Sequence, residues 1–247
     1  MAASPLDRLV RKLESITSTP LSEQVTKAVL NLPVSVRKLE ADEDIVREGD
    51  RPSQCCLVVE GLLCRYKVLA DGTRQILSFH VPGDIPDLQS LHIDVMDHNL
   101  ASNIASTVAF ISHNALKNLC HEQPRIADVF WRDTLIDAAI FREWIVNVGS
   151  RQAYGRIAHL LCELFLKLQA VGLTNGNSFN LPLTQGEIGD ATGLSTVHVN
   201  RTIMELRADG LITLEKGHCT INNLNGLNEA AMFDPTYLHL KGTSKAA

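Results

Sequence analysis

LTQGEIGDATGLSTVHVNRTIMELR, residues 183–207, decides the reading of this chain. From Gln185 to Ala191 the residues Ile188, Gly189 and Ala191 are small or apolar. Gly189 lacks a Cβ, so a second helix can cross there at close range. Gly193 suits the left-handed conformation that ends a helix, and Ser195 is a good N-cap for the next one. Leu194, Val199, Ile203 and Leu206 then recur at helical spacing and predict an inward face. Thr196, Val197, His198, Asn200 and Arg201 are left outside. Helix, tight turn and a second helix opening with short polar side chains form the layout of a helix-turn-helix, whose second helix enters the major groove of DNA. Downstream, Asp209-Gly210 and Lys216-Gly217 punctuate the apolar runs Leu211–Leu214 and Cys219–Ile221, and the second pair predicts a β-hairpin, a wing. A helical hairpin in an ordinary core competes with this reading. The agreement of turn, cap, inward apolars and hairpin favours the helix-turn-helix.

Charge sets a limit on how such a domain would bind. Between Pro182 and Ile221 stand three basic residues (Arg201, Arg207, Lys216) against five acids, and the whole chain carries a formal net charge of -5. No broad basic patch is available for non-specific attraction. Affinity must come from a few placed contacts, helix N-termini and two-fold avidity.

The 247 residues suffice for two domains with proper cores. No apolar run approaches the roughly 20 residues of a membrane span. The start, Met-Ala-Ala-Ser-Pro-Leu-Asp-Arg, lacks the apolar core of a signal peptide, so the expected address is cytoplasmic, with no membrane partner. Six scattered cysteines form no metal-ligand spacing, and no disulfide is expected. No nucleophile–base pair or phosphate loop is visible, and neither a cofactor nor an enzymatic activity is expected. The first ~24 residues and the tail from Thr243 are expected to be mobile.

In the front half, short strands alternate with turns. Val36–Leu39, Glu43–Arg47, Cys55–Val59, Leu62–Val68 and Gln75–His80 are separated by Glu48-Gly-Asp-Arg-Pro, Glu60-Gly61, Ala70-Asp-Gly72 and Pro82-Gly-Asp84. Such regular short spacing predicts a small antiparallel roll or barrel.

The order of these signals, with Glu48-Gly-Asp50, Glu60-Gly61, Asp71-Gly72 and Pro82-Gly-Asp84 as the strongest, resembles the effector-binding roll of the Crp–Fnr superfamily of transcription regulators. With the helix-turn-helix, the resemblance covers about residues 25–225. It implies an α+β chain: an N-terminal segment (1–24), an antiparallel β-roll (25–123), a long dimerisation helix and hinge (124–150), a winged helix-turn-helix domain (151–225) and a C-terminal tail (226–247). It also implies a homodimer on a pseudo-palindromic double-stranded operator, with RNA polymerase as a possible partner.

Departures from the family pattern bear on the effector. Members that bind cyclic nucleotides carry Gly-Glu after the roll's penultimate strands and Arg-Ser/Thr some ten residues on. Here Gly83-Asp84 is followed by Asp87, and Asn99-Leu100 stand in the place of Arg-Ser. No arginine occurs between Arg74 and Arg125, so a cyclic phosphate would face Asp84 and Asp87 without a counter-charge. Cyclic AMP and GMP are therefore not the expected effectors. The iron–sulfur members need N-terminal cysteines, and the first here is Cys55.

The long helix is expected from Ile126 to about Val148, broken at Gly149-Ser150. Ile126, Val129, Phe130, Ile136, Ile140, Phe141, Trp144 and Val148 form one apolar stripe, and Trp131, Leu135 and Ala138 a second. Two apolar faces suit a helix packed on its own roll and on a partner copy. Asp133 and Asp137 interrupt the first stripe. Either the helix is splayed there and both are solvated, the commoner arrangement, or they line a polar cavity with Gly83, Asp84, Asp87, Asn99 and Leu100. His92, Asp94 and His98 have a weak metal-ligand spacing and read as loop residues. Cys55 and Cys56, adjacent on a strand, point to opposite faces and read as packing. Arg151 and Arg156 are placed to meet phosphates or a salt bridge.

Arg201 is the expected reader of guanine, and Asn200 of adenine or a phosphate. Val197 can touch only a thymine methyl. Thr184, Gln185, Ser195 and Thr196 are expected on phosphates, setting register, and His198 in either role. The competing function is a ligand- or metal-sensing signalling module acting through protein contacts, supported by the acidic balance alone.

Overall fold

Glycine turns between short apolar runs build the front half as two antiparallel sheets. The structure, a computed structural model, describes residues 4–241. Helices α1 (Pro5–Ile16) and α2 (Glu23–Leu30) precede strands β1 (Ser35–Leu39), β2 (Asp44–Val46), β3 (Gln54–Glu60), β4 (Leu63–Val68), β5 (Arg74–His80), β6 (Asn99–Ser102) and β7 (Ser106–Ser112). One sheet runs β1-β7-β3 and the other β2-β6-β4-β5. Together they form the roll. Cys55 joins the main core while Cys56 packs with Val58, Leu63, Leu100 and Val108 in a second core. Burial pushes both thiols up, which suits packing and not reactivity.

From Ser4 onward the N-terminal segment is not a loose arm. Ser4 and Asp7 make a capping box, and α1 buries Leu6, Leu9, Leu13 and Ile16 at helical spacing. The tail from Thr243 lies outside the described residues.

After α3 (His113–Glu122) comes α4 (Pro124–Ser150), 27 residues and about 40 Å long. Gly149-Ser150 do not interrupt it; the chain turns out at Arg151, which is extended. Arg151 is held there by Glu143 (2.6 Å) and the Ala231 carbonyl (2.8 Å).

The C-terminal domain comprises α5 (Ala153–Ala170), β8 (Thr174–Asn175), β9 (Ser178–Asn180), α6 (Gln185–Thr192), α7 (Thr196–Ala208), β10 (Ile212–Glu215), β11 (His218–Ile221) and α8 (Leu224–Ala231). Its sheet runs β10-β11-β9-β8. The wing hairpin turns on Lys216 and Gly217, both left-handed (φ 47° and 79°), as a two-residue hairpin of this twist requires. Residues expected to form a tail instead close the domain. α8 packs on α5, and Tyr237, in a 3-10 turn over Pro235–Leu238, donates a 2.6 Å hydrogen bond to buried Glu163. Among the described residues no helix is long and apolar enough to cross a membrane.

Candidate nucleic-acid interface and effector pocket

Local chemistry sets the angle between α6 and α7. Thr184 caps α6: its hydroxyl accepts from the Glu187 amide (3.2 Å), and Glu187 accepts from the Thr184 amide (2.8 Å). Gly193, at φ 68°, ends the helix in the left-handed region. The Leu194 amide returns to the Gly189 carbonyl (3.1 Å), and a Cβ on Gly189 would lie 2.5 Å from the Leu194 carbonyl oxygen. Gly189→Ala is therefore expected to destabilise the C-terminal domain by about 1–3 kcal/mol, read by thermal unfolding. An unchanged melting curve would mean that the crossing relaxes.

Ser195 opens α7, its Oγ accepting from the His198 amide (3.3 Å). Val199, Thr202, Ile203 and Leu206 go inward. Thr196, Val197, Asn200 and Arg201 stand exposed on the outer face, His198 is half-buried, and Thr184, Gln185 and Ser195 are exposed at the two helix starts. Arg201 makes a loose 3.8 Å pair with Glu205 and is otherwise open. Arg151 and Arg156 do not reach this face. Arg156 donates to the carbonyls of Arg151 (2.7 Å) and Thr192 (3.0 Å), so both arginines fix the hinge.

Between roll and α4 lies a polar pocket that sequence reasoning found only in part. Asp84, Asp133 and Asp137 line it, and neither aspartate of α4 is splayed into solvent. Asp137 accepts from Arg65 at 2.5 Å, and Arg65 also donates to the Pro86 carbonyl. Lys12 donates to Asp84 at 2.7 Å and lies 3.4 Å from Asp133; Lys167 lies 3.4 Å from Asp84. The counter-charges expected to be missing are thus present, supplied by Lys12, Arg65 and Lys167. Burial opposes ionisation of Asp84, yet Lys12 and Lys167 hold its carboxyl well below the usual range. Burial and the Arg65 charge push His80, in the same pocket, down to about 4.

The remaining candidates lie elsewhere. Gly83 sits under α1, Asp87 is buried with its Oδ1 on the Cys56 amide (2.8 Å), and Asn99 and Leu100 pair with β4 inside the sheet. Asn99 spends its amide on Glu48 and Tyr66, because β6 is a middle strand and not a pocket wall. His92 and Asp94 are exposed, whereas buried His98 pairs with Asp97 at 2.7 Å. No group of three or more metal-ligating side chains occurs among the described residues. The free volume left in the pocket is about 40 Å³, the size of a water or two.

Two family models match the two halves of this geometry. A cyclic nucleotide-binding domain matches residues 36–123, and a Crp-like helix-turn-helix domain matches residues 155–230. The chain belongs to the Crp–Fnr superfamily of transcription regulators. It is a member of a family of DNA-binding regulators. The superfamily relatives it resembles include an anaerobic regulatory protein of Haemophilus influenzae, 25% identical over 89% of this chain and 85% of that one. Another is the transcriptional activator protein FnrL of Cereibacter sphaeroides, 27% identical over 79% of each chain. Among solved structures, FixK2 of Bradyrhizobium japonicum superposes with a TM-score of 0.74 at 24% identity, over 81% of this chain and 98% of that one. That likeness shows a shared fold over nearly the whole of that chain.

Proposed function

We propose that the protein is a homodimeric, sequence-specific DNA-binding transcription regulator whose roll does not take cyclic AMP or GMP. The observation that carries this reading is the open face of α7: Asn200 and Arg201 protrude beside Thr196 and Val197, with nothing among the described residues packed over them. Thr184, Gln185 and Ser195 lie at the N-terminal ends of α6 and α7, where backbone amides favour phosphate. Dimerisation is supported by the exposed stripe Trp131, Leu135 and Ile145 along α4. Cyclic nucleotides are disfavoured on steric grounds, since the cations of the pocket are already spent on this chain's own carboxylates. A pocket of about 40 Å³, crossed by this chain's own ion pairs, has no room for a nucleotide.

The test is fluorescence anisotropy on pseudo-palindromic operator fragments at two salt concentrations. A sequence preference together with a steep salt dependence is expected. Arg201→Ala is expected to cost about 1–3 kcal/mol and to relax one base position of each half-site. An equal loss on every sequence would reduce Arg201 to a phosphate contact. Absence of any preferred sequence would refute the proposed function.

A further inference from the structure

The ion pairs in the pocket join α1, the roll, α4 and α5. Asp84, on the roll, accepts from Lys12 of α1 at 2.7 Å and lies 3.4 Å from Lys167 of α5. Lys12 reaches on to Asp133 of α4 at 3.4 Å, and Lys167 donates to the Phe79 carbonyl of β5 at 2.6 Å. Roll, α4 and DNA-binding domain thus meet around Asp84 and the lysine that the first helix carries to it. The rest of α1 is laid down to bring it there. Arg8 and Arg11 both donate to the Val171 carbonyl at the end of α5 (3.4 and 3.0 Å), and Arg132 of α4 holds the Ile16 carbonyl at 2.6 Å. Gly83 lies so close under α1 that a Cβ would sit 2.7 Å from the Arg8 carbonyl oxygen.

We propose that Lys12 is a tethered effector: its ammonium, delivered by α1, neutralises Asp84 and Asp133 and so fixes the DNA-binding domain against the roll without a diffusible ligand. The inference rests on the reading of roll and α4 as the regulatory side of a DNA-binding protein. Burial works against the charge of Lys12, and Asp133 and Asp84 more than offset it, holding its pKa above the ordinary lysine value. Removing the lysine takes the ion-pair partner from Asp133 and leaves Asp84 with Lys167 alone, which is costly. The strapped arrangement also leaves the α7 face open, so it is compatible with DNA. A domain held in place gives up less freedom on binding than a loose one.

Lys12→Ala removes a three-carbon stem and an ammonium, the outline of n-propylammonium. In the full-length variant, amides of α1 and of the α5 and α6 surfaces facing the roll are expected to exchange about tenfold faster, with β3 and β7 unchanged. Operator affinity is expected to fall about tenfold. n-Propylammonium chloride should restore both, and neither n-propanol nor sodium chloride at equal ionic strength should. Unchanged exchange, tighter operator binding, or loosening that the amine does not reverse would overturn the proposal. Should Lys12→Ala not fold, Asp133→Asn serves as the second variant: faster exchange confined to α1 and its contacts is expected, and wild-type exchange overturns the proposal. Amide exchange needs no DNA. A wild-type protein with no operator preference would therefore refute the proposed function while this test still stands.

Discussion

Leu135→Glu combined with Ile145→Glu is expected to convert the protein to a monomer and to weaken operator binding about a hundredfold or more. Trp131, Leu135 and Ile145 are 67%, 51% and 70% exposed, on a helix whose other face is buried in its own roll and hinge. With Ala138 and Arg142 they follow the alternating four- and three-residue steps of a coiled-coil seam. Large apolar side chains aligned this way on a surface mark an interaction site. Around a two-fold axis, each new glutamate would stand near its own copy and lose water without gaining a partner. Both side chains are exposed, so the fold of the protomer should survive. The loss on DNA follows from arithmetic: a dimer binds its second half-site as an intramolecular event, and a monomer forfeits that term. Analytical ultracentrifugation and anisotropy on the same sample check it. A variant that stays dimeric would place the interface elsewhere, and a monomer with undiminished affinity would end the two-fold argument.

How much of this could be read in advance depended on distance along the chain. The α6–α7 unit was legible because its determinants, Thr184, Gly189, Gly193, Ser195 and the inward Val199 and Leu206, lie within one short stretch and act on near neighbours. The roll was legible from its turns, though β6 and β7 were not anticipated. β7 pairs with strands on both sides, and its Val108, Ala109 and Ile111 are all buried, so it lacks the alternation that marks a half-exposed strand. Asn99–Ser102 is simply short. The pocket was the least legible part. Lys12 and Asp84, like Arg65 and Asp137, are 72 residues apart, and no local pattern announces such a pairing. One signal was present and passed over: Leu6, Leu9, Leu13 and Ile16 behind a Ser4–Asp7 cap spell an amphipathic helix. Periodicity outweighs nearness to a terminus here, because the buried face of α1 anchors it.

Asp87→Asn is expected to stabilise the protein at pH 8 by about 2 kcal/mol and to change it little at pH 4. Asp87 is 1% exposed, and burial raises its carboxyl to about 7, although the Cys56 amide and the Arg65 charge pull the other way. An unfolded aspartate ionises near 3.9. Between those values the folded chain keeps a proton that the unfolded chain releases, so this residue makes stability fall as pH rises from about 4 to about 7. Above that window the full cost of a buried charge is present; below it the carboxyl is neutral in both states. Asparagine removes the charge while its Oδ1 can still accept from the Cys56 amide, now at 2.8 Å. Its new amide protons need an acceptor in a closed site, which takes back part of the gain. Asp84 behaves in the opposite sense. Its depressed carboxyl supports the fold above the unfolded value and loses that support as pH falls through the lower native one, equally in wild type and variant. The difference between the two proteins therefore isolates Asp87. Urea unfolding at pH 4, 6 and 8 should show a gap that opens with pH; a constant gap would mean that packing, and not charge, separates the two side chains.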